Sequence, residues 1–423
     1  MNELIYWIWL SLATTPDAPT FAKLIDAFAD AKEIYDADIH LISKYIGSRS
    51  SDRARLADKD LSRAIEIFNY CQKFDIGIVA YPDERFPVSL KEITTPPVLL
   101  YYRGTFPDFN KRFALAIVGT RTLSDYGRTA SFVAAYEMAT SGAIIVSGMA
   151  MGIDGVAHAG ALAAEGTTVA VIGSGINICY PEDHKTLARE IVKHGCVISE
   201  FQPGTKPSRV TFPKRNRLIS GLCAATLVIE GRERSGSLIT ARYAREQGRT
   251  VYALPGTVGV KNSEATNLLI KNGAKLYTCS DDIIRDFEKL YPGELNPFLL
   301  PERVGINVLE SLRRYSVIAV APSDDIFLPP RHNNKTASES SAVKEAFAAP
   351  VAEQRGSVEE PPPGFDKDAL AVYKQIPEVG ECDIESLVGE GRTLRAVMQC
   401  LLKLEMGQFI VMCPGERVKR KTK

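Results

Sequence analysis

Six short runs rich in β-branched residues punctuate the middle of the chain: AIVGT (116–120), AIIVSG (143–148), TVAVIGSG (168–175), CVISE (196–200), ATLVIEG (225–231) and TVYALPG (250–256). Several close on glycine, and segments of helical pattern separate them. Short runs that are apolar on both faces suit strands covered by helices above and below, the arrangement of parallel sheets. The alternation predicts an α/β fold built on a central, doubly wound parallel sheet.

The flanks read differently. Over 1–75, Phe21, Leu24, Ile25 and Phe28, then Leu61, Ala64, Ile65 and Phe68, recur at helical spacing and predict a small helical domain. Its first residues, MNELIYWIWLSLATTPD, resemble a signal peptide only briefly, because Glu3 stands where a basic region belongs and Asp17 follows the apolar run. They read as a buried first helix. Residues 76–290 are expected to form the sheet domain, with a connector over 76–111 broken by Tyr81-Pro82, Phe86-Pro87 and Pro96-Pro97. Residues 291–365 include a stretch rich in Ala, Ser, Glu and Pro and read as a flexible linker. Over 366–416 a helix–helix–helix–hairpin order predicts a winged helix, and 417–423 reads as a basic, frayed tail.

Composition removes whole classes. With 45% apolar and 24% charged residues, the 423-residue chain is neither wholly disordered nor fibrous, and no stretch approaches the ~18 apolar residues of a membrane span. Eight scattered cysteines, with no CxxC, read as reduced packing thiols of a cytoplasmic protein. Basic and acidic residues balance at 51 each, so a polyanion-binding surface would have to be a local excess.

Ligands of open α/β sheets bind at the carboxyl ends of the strands. The informative motifs fall there: Gly119-Thr120-Arg121, Ser147 to Gly155, Gly173-Ser174-Gly175, Phe212-Pro213-Lys214-Arg215-Asn216-Arg217 and Arg234 to Thr240. Glycines let a phosphate approach the backbone, while hydroxyls and basic side chains complete a polyanion cradle. A nucleotide cofactor is poorly supported. Gly173-Ser174-Gly175 lacks the third glycine of a dinucleotide fingerprint, and no Walker lysine follows a suitable loop. Residues 201–250 carry ten basic residues against Glu230, Glu233 and Glu246, a local excess of seven in a neutral chain. That pattern suits backbone phosphates. Phe212 inside the basic run, with Tyr126 and Tyr180 in neighbouring loops, favours single strands whose bases can stack.

GTR, SGMAMGIDGVAH, GSGINICYP, ISEFQPGTKP, FPKRNRLISGL, RSGSLITARYA and GRTVYALPG occur in order, and together they closely resemble the DprA/Smf family of DNA-processing proteins from about 80 to 280. The resemblance implies a Rossmann-like homodimer without catalytic turnover or cofactor. It would bind single-stranded DNA and load the RecA recombinase onto it during natural transformation. It also implies that the first domain is SAM-like and that the tail is a winged helix. Carried over, the main phosphate-binding positions are Arg121 and Lys214, while Gly119, Gly148, Arg215, Asn216, Ser235 and Gly236 line the same site. Thr120, Phe212, Arg217 and Ser237 complete the candidate DNA-binding set. Two positions depart from the family pattern: Met151 stands where arginine is usual, and Ala265 where glycine is usual.

Several of these residues have structural readings too. One of Arg215 and Arg217 is open to burial against Glu230 or Glu200, and a Phe before Pro is often core. Asp154 and His158, four apart, read as a local amide acceptor and an inward-facing histidine rather than a metal or general-base pair. An alternative function, hydrolysis of nucleotide N-glycosidic bonds, fits the fold but not the motif. Leu254-Pro255-Gly256-Thr257 continues without the glutamate of PGGxGTxxE. A transcription regulator is disfavoured because the expected third helix of the winged helix carries only Arg395 and Lys403 as bases.

Overall fold

The computed structural model describes residues 2–296, 308–315 and 317, and towards the C-terminus 367–377, 382–387, 396–397, 400–401, 403–404, 409–413 and 417–420. The chain divides into two compact units, Met1–His332 and Asn333–Lys423.

The first unit begins with six helices: α1 (Leu4–Ala13), α2 (Thr20–Ile25), α3 (Ala31–Asp36), α4 (Ile39–Ile46), α5 (Arg53–Ala57) and α6 (Ser62–Lys73). The apolar N-terminal run is α1, with Ile5, Trp7, Ile8, Trp9 and Leu10 buried, so its hydrophobicity serves a domain core. Among the described residues no helix is long and apolar enough to cross a membrane.

The six sequence runs become six parallel strands: β3 (Ala114–Val118), β4 (Ile144–Ser147), β5 (Thr168–Val171), β6 (Cys196–Ser199), β7 (Ala225–Val228) and β8 (Thr250–Ala253). Between them run α8 (Asp125–Thr140), α9 (Ile153–Ala163), α10 (Lys185–His194), α11 (Thr211–Gly221) and α12 (Gly236–Glu246). Residues of β3 to β7 are buried throughout, which is why their sequences lack an alternating polar face.

The region read as a connector contributes more than a connection. It holds β1 (Gly77–Ala80), the short helix α7 (Val88–Lys91) and β2 (Leu99–Gly104). Strand β2 pairs antiparallel with β1 and with β6, and β9 (Lys275–Leu276) extends the other edge, giving the order β1-β2-β6-β5-β4-β3-β7-β8-β9. The proline pairs sit between these strands, so the breakers bound them rather than exclude them. Helix α13 (Glu264–Lys271) precedes β9, and α14 (Ser280–Phe287) follows it.

Within the expected linker, Val308–Arg314 forms helix α15, and Val308, Leu312, Tyr315 and Val317 bury in one core with Val156 of α9. Val308, Leu312 and Tyr315 recur at helical spacing and supply an apolar face, which the polar composition further along the segment obscured. Residues 297–307, 316 and 318–365 of that linker lie outside the described residues.

The second unit contains α16 (Lys367–Gln375), β10 (Cys382–Asp383), β11 (Ile410–Cys413) and β12 (Arg417–Arg420), the strands forming an antiparallel sheet in the order β10-β12-β11. Val372, Ile376, Leu401 and Val418 share its core. The residues expected to fray at 417–420 are thus the central strand, with Val418 buried and Lys419 beside it exposed. Arg395, in the expected third helix, lies outside the described residues.

Candidate functional site

The chain enters the parallel sheet at β3, winds through β4, β5 and β6 on one side, then crosses to β7 and β8 on the other. The order reverses between β3 and β7, and the loops leaving their carboxyl ends diverge, opening a crevice. A cleft of about 740 Å³ occupies that place. Gly119, Thr120 and Arg121 after β3 form part of its wall, with Phe212, Arg215 and Asn216 from α11 and Ser235, Gly236 and Ser237 at the start of α12. Asp154, Tyr180, Ser208, Arg209 and Thr240 add to the polar and aromatic lining.

The basic run FPKRNR belongs to α11, and helical periodicity divides it. Phe212, Arg215, Asn216 and Ile219 follow i, i+3, i+4, i+7 spacing and share the cleft face. Lys214 and Arg217, three apart, point the other way. The Lys214 ammonium donates to the Pro16 carbonyl at 3.1 Å, and Lys214 does not line the cleft. Arg217 is 1% exposed, with its guanidinium 2.6 Å from Glu200 and 3.5 Å from Asp17. Arg217 is therefore the member of the arginine pair that is spent on Glu200. Glu230 is engaged elsewhere.

Arg215 is also buried, but at the floor of the cleft. It donates to the carbonyls of Gly148, at 2.8 Å, and Val171. Burial pulls its guanidinium down to about 10, opposed chiefly by Asp154. Burial in turn pushes the Asp154 carboxyl up, offset first by Arg215. Gly148 lies outside the cleft lining and acts by absence of a side chain: a Cβ there would sit 2.5 Å from both Arg215 Nη2 and Asp154 Oδ2. Gly152 has φ +86, and a Cβ on it would strike the Thr120 carbonyl, so this glycine lets the β4–α9 loop pack under Arg121.

Helix starts decide where an anion can dock. At α8 the position is taken: Glu230 accepts from Ser124 N at 3.0 Å and from the Ser124 hydroxyl, placing a carboxylate against that helix start. At α12 it is open. The N-cap Ser235 makes no side-chain cap bond, its Oγ lying 2.5 Å from Ser237 Oγ instead, and nothing stands within 4 Å of a Cβ built on Gly236. The first amides of α12 are thus available to a ligand in the cleft.

Arg121 is exposed, and its guanidinium lies 5.6 Å from the Phe212 ring centre. The exposed ring of Tyr180 stands 5.5 Å from Phe212, making an aromatic platform beside a free cation. Tyr126, by contrast, bonds the Pro255 carbonyl at 3.0 Å and does not line the cleft. Sequence reasoning left Arg209 out of the site, although the basic excess of 201–250 contained it. Arg209 lies in the turn before α11, where no periodicity marks it; within FPKRNR, reading the run as a helix sorts cleft-facing from rear-facing bases.

Asp154 Oδ2 accepts from Ala150 N at 3.4 Å. His158 is fully buried, its Nδ1 2.7 Å from Thr168 Oγ1. The Thr168 hydroxyl donates to the Ile145 carbonyl, so the histidine nitrogen is the donor to Thr168. Burial pulls His158 down to about 3, and it is neutral at physiological pH. Among the described residues no cluster of three His, Cys, Asp or Glu is placed to hold a metal ion.

Residues 77–288, from the first strand of the large sheet through α14, match the family model for DNA recombination-mediator protein A. Over 223 residues the chain is 38% identical to the DNA processing protein DprA of Bacillus subtilis (strain 168), covering 53% of this chain and 75% of that protein. It is 42% identical over 212 residues to Protein Smf of Escherichia coli (strain K12), covering 50% and 56% of the two chains. The X-ray structure of DprA from Streptococcus pneumoniae superposes with a TM-score of 0.59 at 34% identity, covering 68% of this chain and 98% of that one. With the family model spanning the whole sheet domain, the chain belongs to the family of DNA recombination-mediator protein A.

Proposed function

We propose that the chain binds single-stranded DNA in the cleft between β3 and β7, protects it, and loads a RecA recombinase onto it as a homodimer. The observation that carries this reading is the coexistence of three recognition elements on one cleft: the exposed Arg121 guanidinium, the uncapped start of α12 and the Tyr180–Phe212 rings. The first two suit phosphates and the third suits unpaired bases. Arg215 supplies fixed positive potential from the floor, and Asn216, Thr120 and the Ser235–Ser237 hydroxyls supply hydrogen bonds at the rim. Lys214 contributes charge from the rear face of α11. The work is binding and delivery, with no bond made or broken, inside the cytoplasm of a cell that takes up or recombines DNA. Residues 366–416 serve in this reading as a winged helix that contacts protein.

Fluorescence anisotropy with labelled oligo-dT, with duplex as comparator and across a salt series, tests it. The expected result is at least tenfold preference for the single strand, about 1.4 kcal/mol, with a steep salt dependence. Equal or tighter duplex binding overturns the reading. Nucleotide N-glycosidic hydrolysis without DNA binding would install the alternative.

Met151 bears on the same titration. It is 39% exposed and precedes Gly152, whose position packs against the Arg121 backbone. Met151→Arg is expected to tighten oligo-dT binding several-fold and to steepen the salt slope by about 0.7, the increment of one added phosphate contact on a single strand. An unchanged slope would remove this loop from the DNA path.

A further inference from the structure

The cleft has a rear side, and one carboxylate organises it. Asp17 lies in the loop between α1 and α2, far in sequence from the sheet, and adopts φ +65, a left-handed conformation uncommon for a residue with a side chain. Its carboxylate lies 3.5 Å from Arg217 of α11 and accepts from the Tyr243 hydroxyl of α12 at 3.3 Å and the Thr95 hydroxyl at 3.2 Å. The neighbouring Pro16 carbonyl holds the Lys214 ammonium.

These partners are not a random sample of the domain. Helices α11 and α12 are the two that present Phe212, Arg215, Asn216, Ser235 and Gly236 to the cleft, and Asp17 touches both on the side away from it. Arg217, drawn between Asp17 and Glu200, also ties α11 to the end of β6. The Gln247 side-chain amide, just past α12, donates to the Arg217 carbonyl at 2.9 Å and closes the link.

We propose that Asp17 is a positioning residue for the cleft, pinning α11 and α12 at the separation the ligand requires and so making the N-terminal helical region part of the binding apparatus. The inference rests on the DNA-binding reading above. A pin acts by preorganisation: residues that already hold the bound geometry spare the ligand the cost of ordering them. It follows that deleting a negative charge from a polyanion-binding protein weakens binding. Long-range electrostatics alone predicts the opposite.

Asp17→Gly deletes the carboxylate while glycine accommodates the left-handed backbone. Oligo-dT affinity is expected to fall roughly tenfold with an unchanged salt slope, because Asp17 touches no phosphate. Asp17→Asn, which tolerates the same backbone and keeps neutral hydrogen bonding, is expected to lose less and serves if the glycine variant folds poorly. Affinity equal to or above wild type in a folded variant overturns the pin. Hydrogen exchange of the free protein supplies a readout independent of DNA. Amides of α11 and α12 should exchange faster in the variant while those of β3 to β5 stay protected, and unchanged exchange in α11 and α12 likewise overturns the pin. Failure of wild type itself to bind oligo-dT would fall on the DNA reading, leaving the exchange result to decide the pin.

Discussion

Arg121→Glu is expected to weaken oligo-dT binding by about 100-fold, or ~3 kcal/mol, and to reduce the salt slope by about 0.7 or more. The variant removes a charge-assisted phosphate contact and places a like charge beside the polyanion. Arg121 is exposed on the β3 loop and its guanidinium packs over Phe212 rather than pairing with an acid, so the folded state loses little when it is replaced. Circular dichroism and the denaturation midpoint should therefore match wild type, and the anisotropy series isolates binding. Full affinity in a folded Arg121→Glu protein would remove the cleft from the account. Lys214→Glu is the informative comparator. Lys214 faces Pro16 on the rear of α11, so its reversal should cost less than that of Arg121 and should not imitate it.

Arg217 makes the opposite pair of expectations: a large effect on stability with no direct contact to the ligand. Glu200 is buried at the end of β6, with Oε1 on Arg217 and Oε2 without a hydrogen-bond partner. Burial pushes its carboxyl up, and Arg217 is the main force holding it down. Arg217→Met leaves that carboxylate buried and unpaired, which should cost about 3–5 kcal/mol in denaturant unfolding. The sign of the pH dependence follows. With Arg217 in place the folded-state value of Glu200 already lies above its unfolded value, and losing Arg217 raises it further, so the added penalty falls on the charged form. The deficit relative to wild type should be greatest at neutral pH. It should shrink as pH falls towards the unfolded carboxylate value near 4.3, roughly, as the group takes up its proton. Glu200→Gln in the Arg217→Met background should recover much of the loss at neutral pH. A deficit that does not change with pH, and that Glu200→Gln does not relieve, would contradict the buried-charge explanation.

The parallel sheet was legible in the sequence because each of β3 to β8 is buried enough to need an unbroken apolar run, and glycines mark the turns at the strand ends. Strands β1 and β2 were not, because Gly77–Ala80 and Leu99–Gly104 are short, flanked by prolines, and paired antiparallel with partners far along the chain. The expected linker concealed α15, whose apolar face packs on α9 though the segment's composition is polar. At the site, residue types pointed to loops that the fold brings together. Arg121, Phe212, Asn216 and the Ser235-Gly236-Ser237 turn converge on one cleft, while Lys214 and Arg217 turn away. A charge count treats FPKRNR as one basic patch. The helix sorts it into a ligand-facing half and a half that holds the domain together, and only the period of α11 separates them. Asp17 carried no signal of its own, since its partners lie between 78 and 226 residues away along the chain.

Photocrosslinking would decide whether single-stranded DNA occupies the cleft between β3 and β7. A 5-bromodeoxyuridine oligonucleotide would be irradiated with the full-length protein and the adducts mapped by mass spectrometry. The adducts should fall on Tyr180, Phe212 and the 119–121 and 235–240 segments lining the cleft, and Arg121→Glu should suppress them. Adducts confined to the second unit, or to the opposite ends of the strands, with the cleft unmarked, would contradict it.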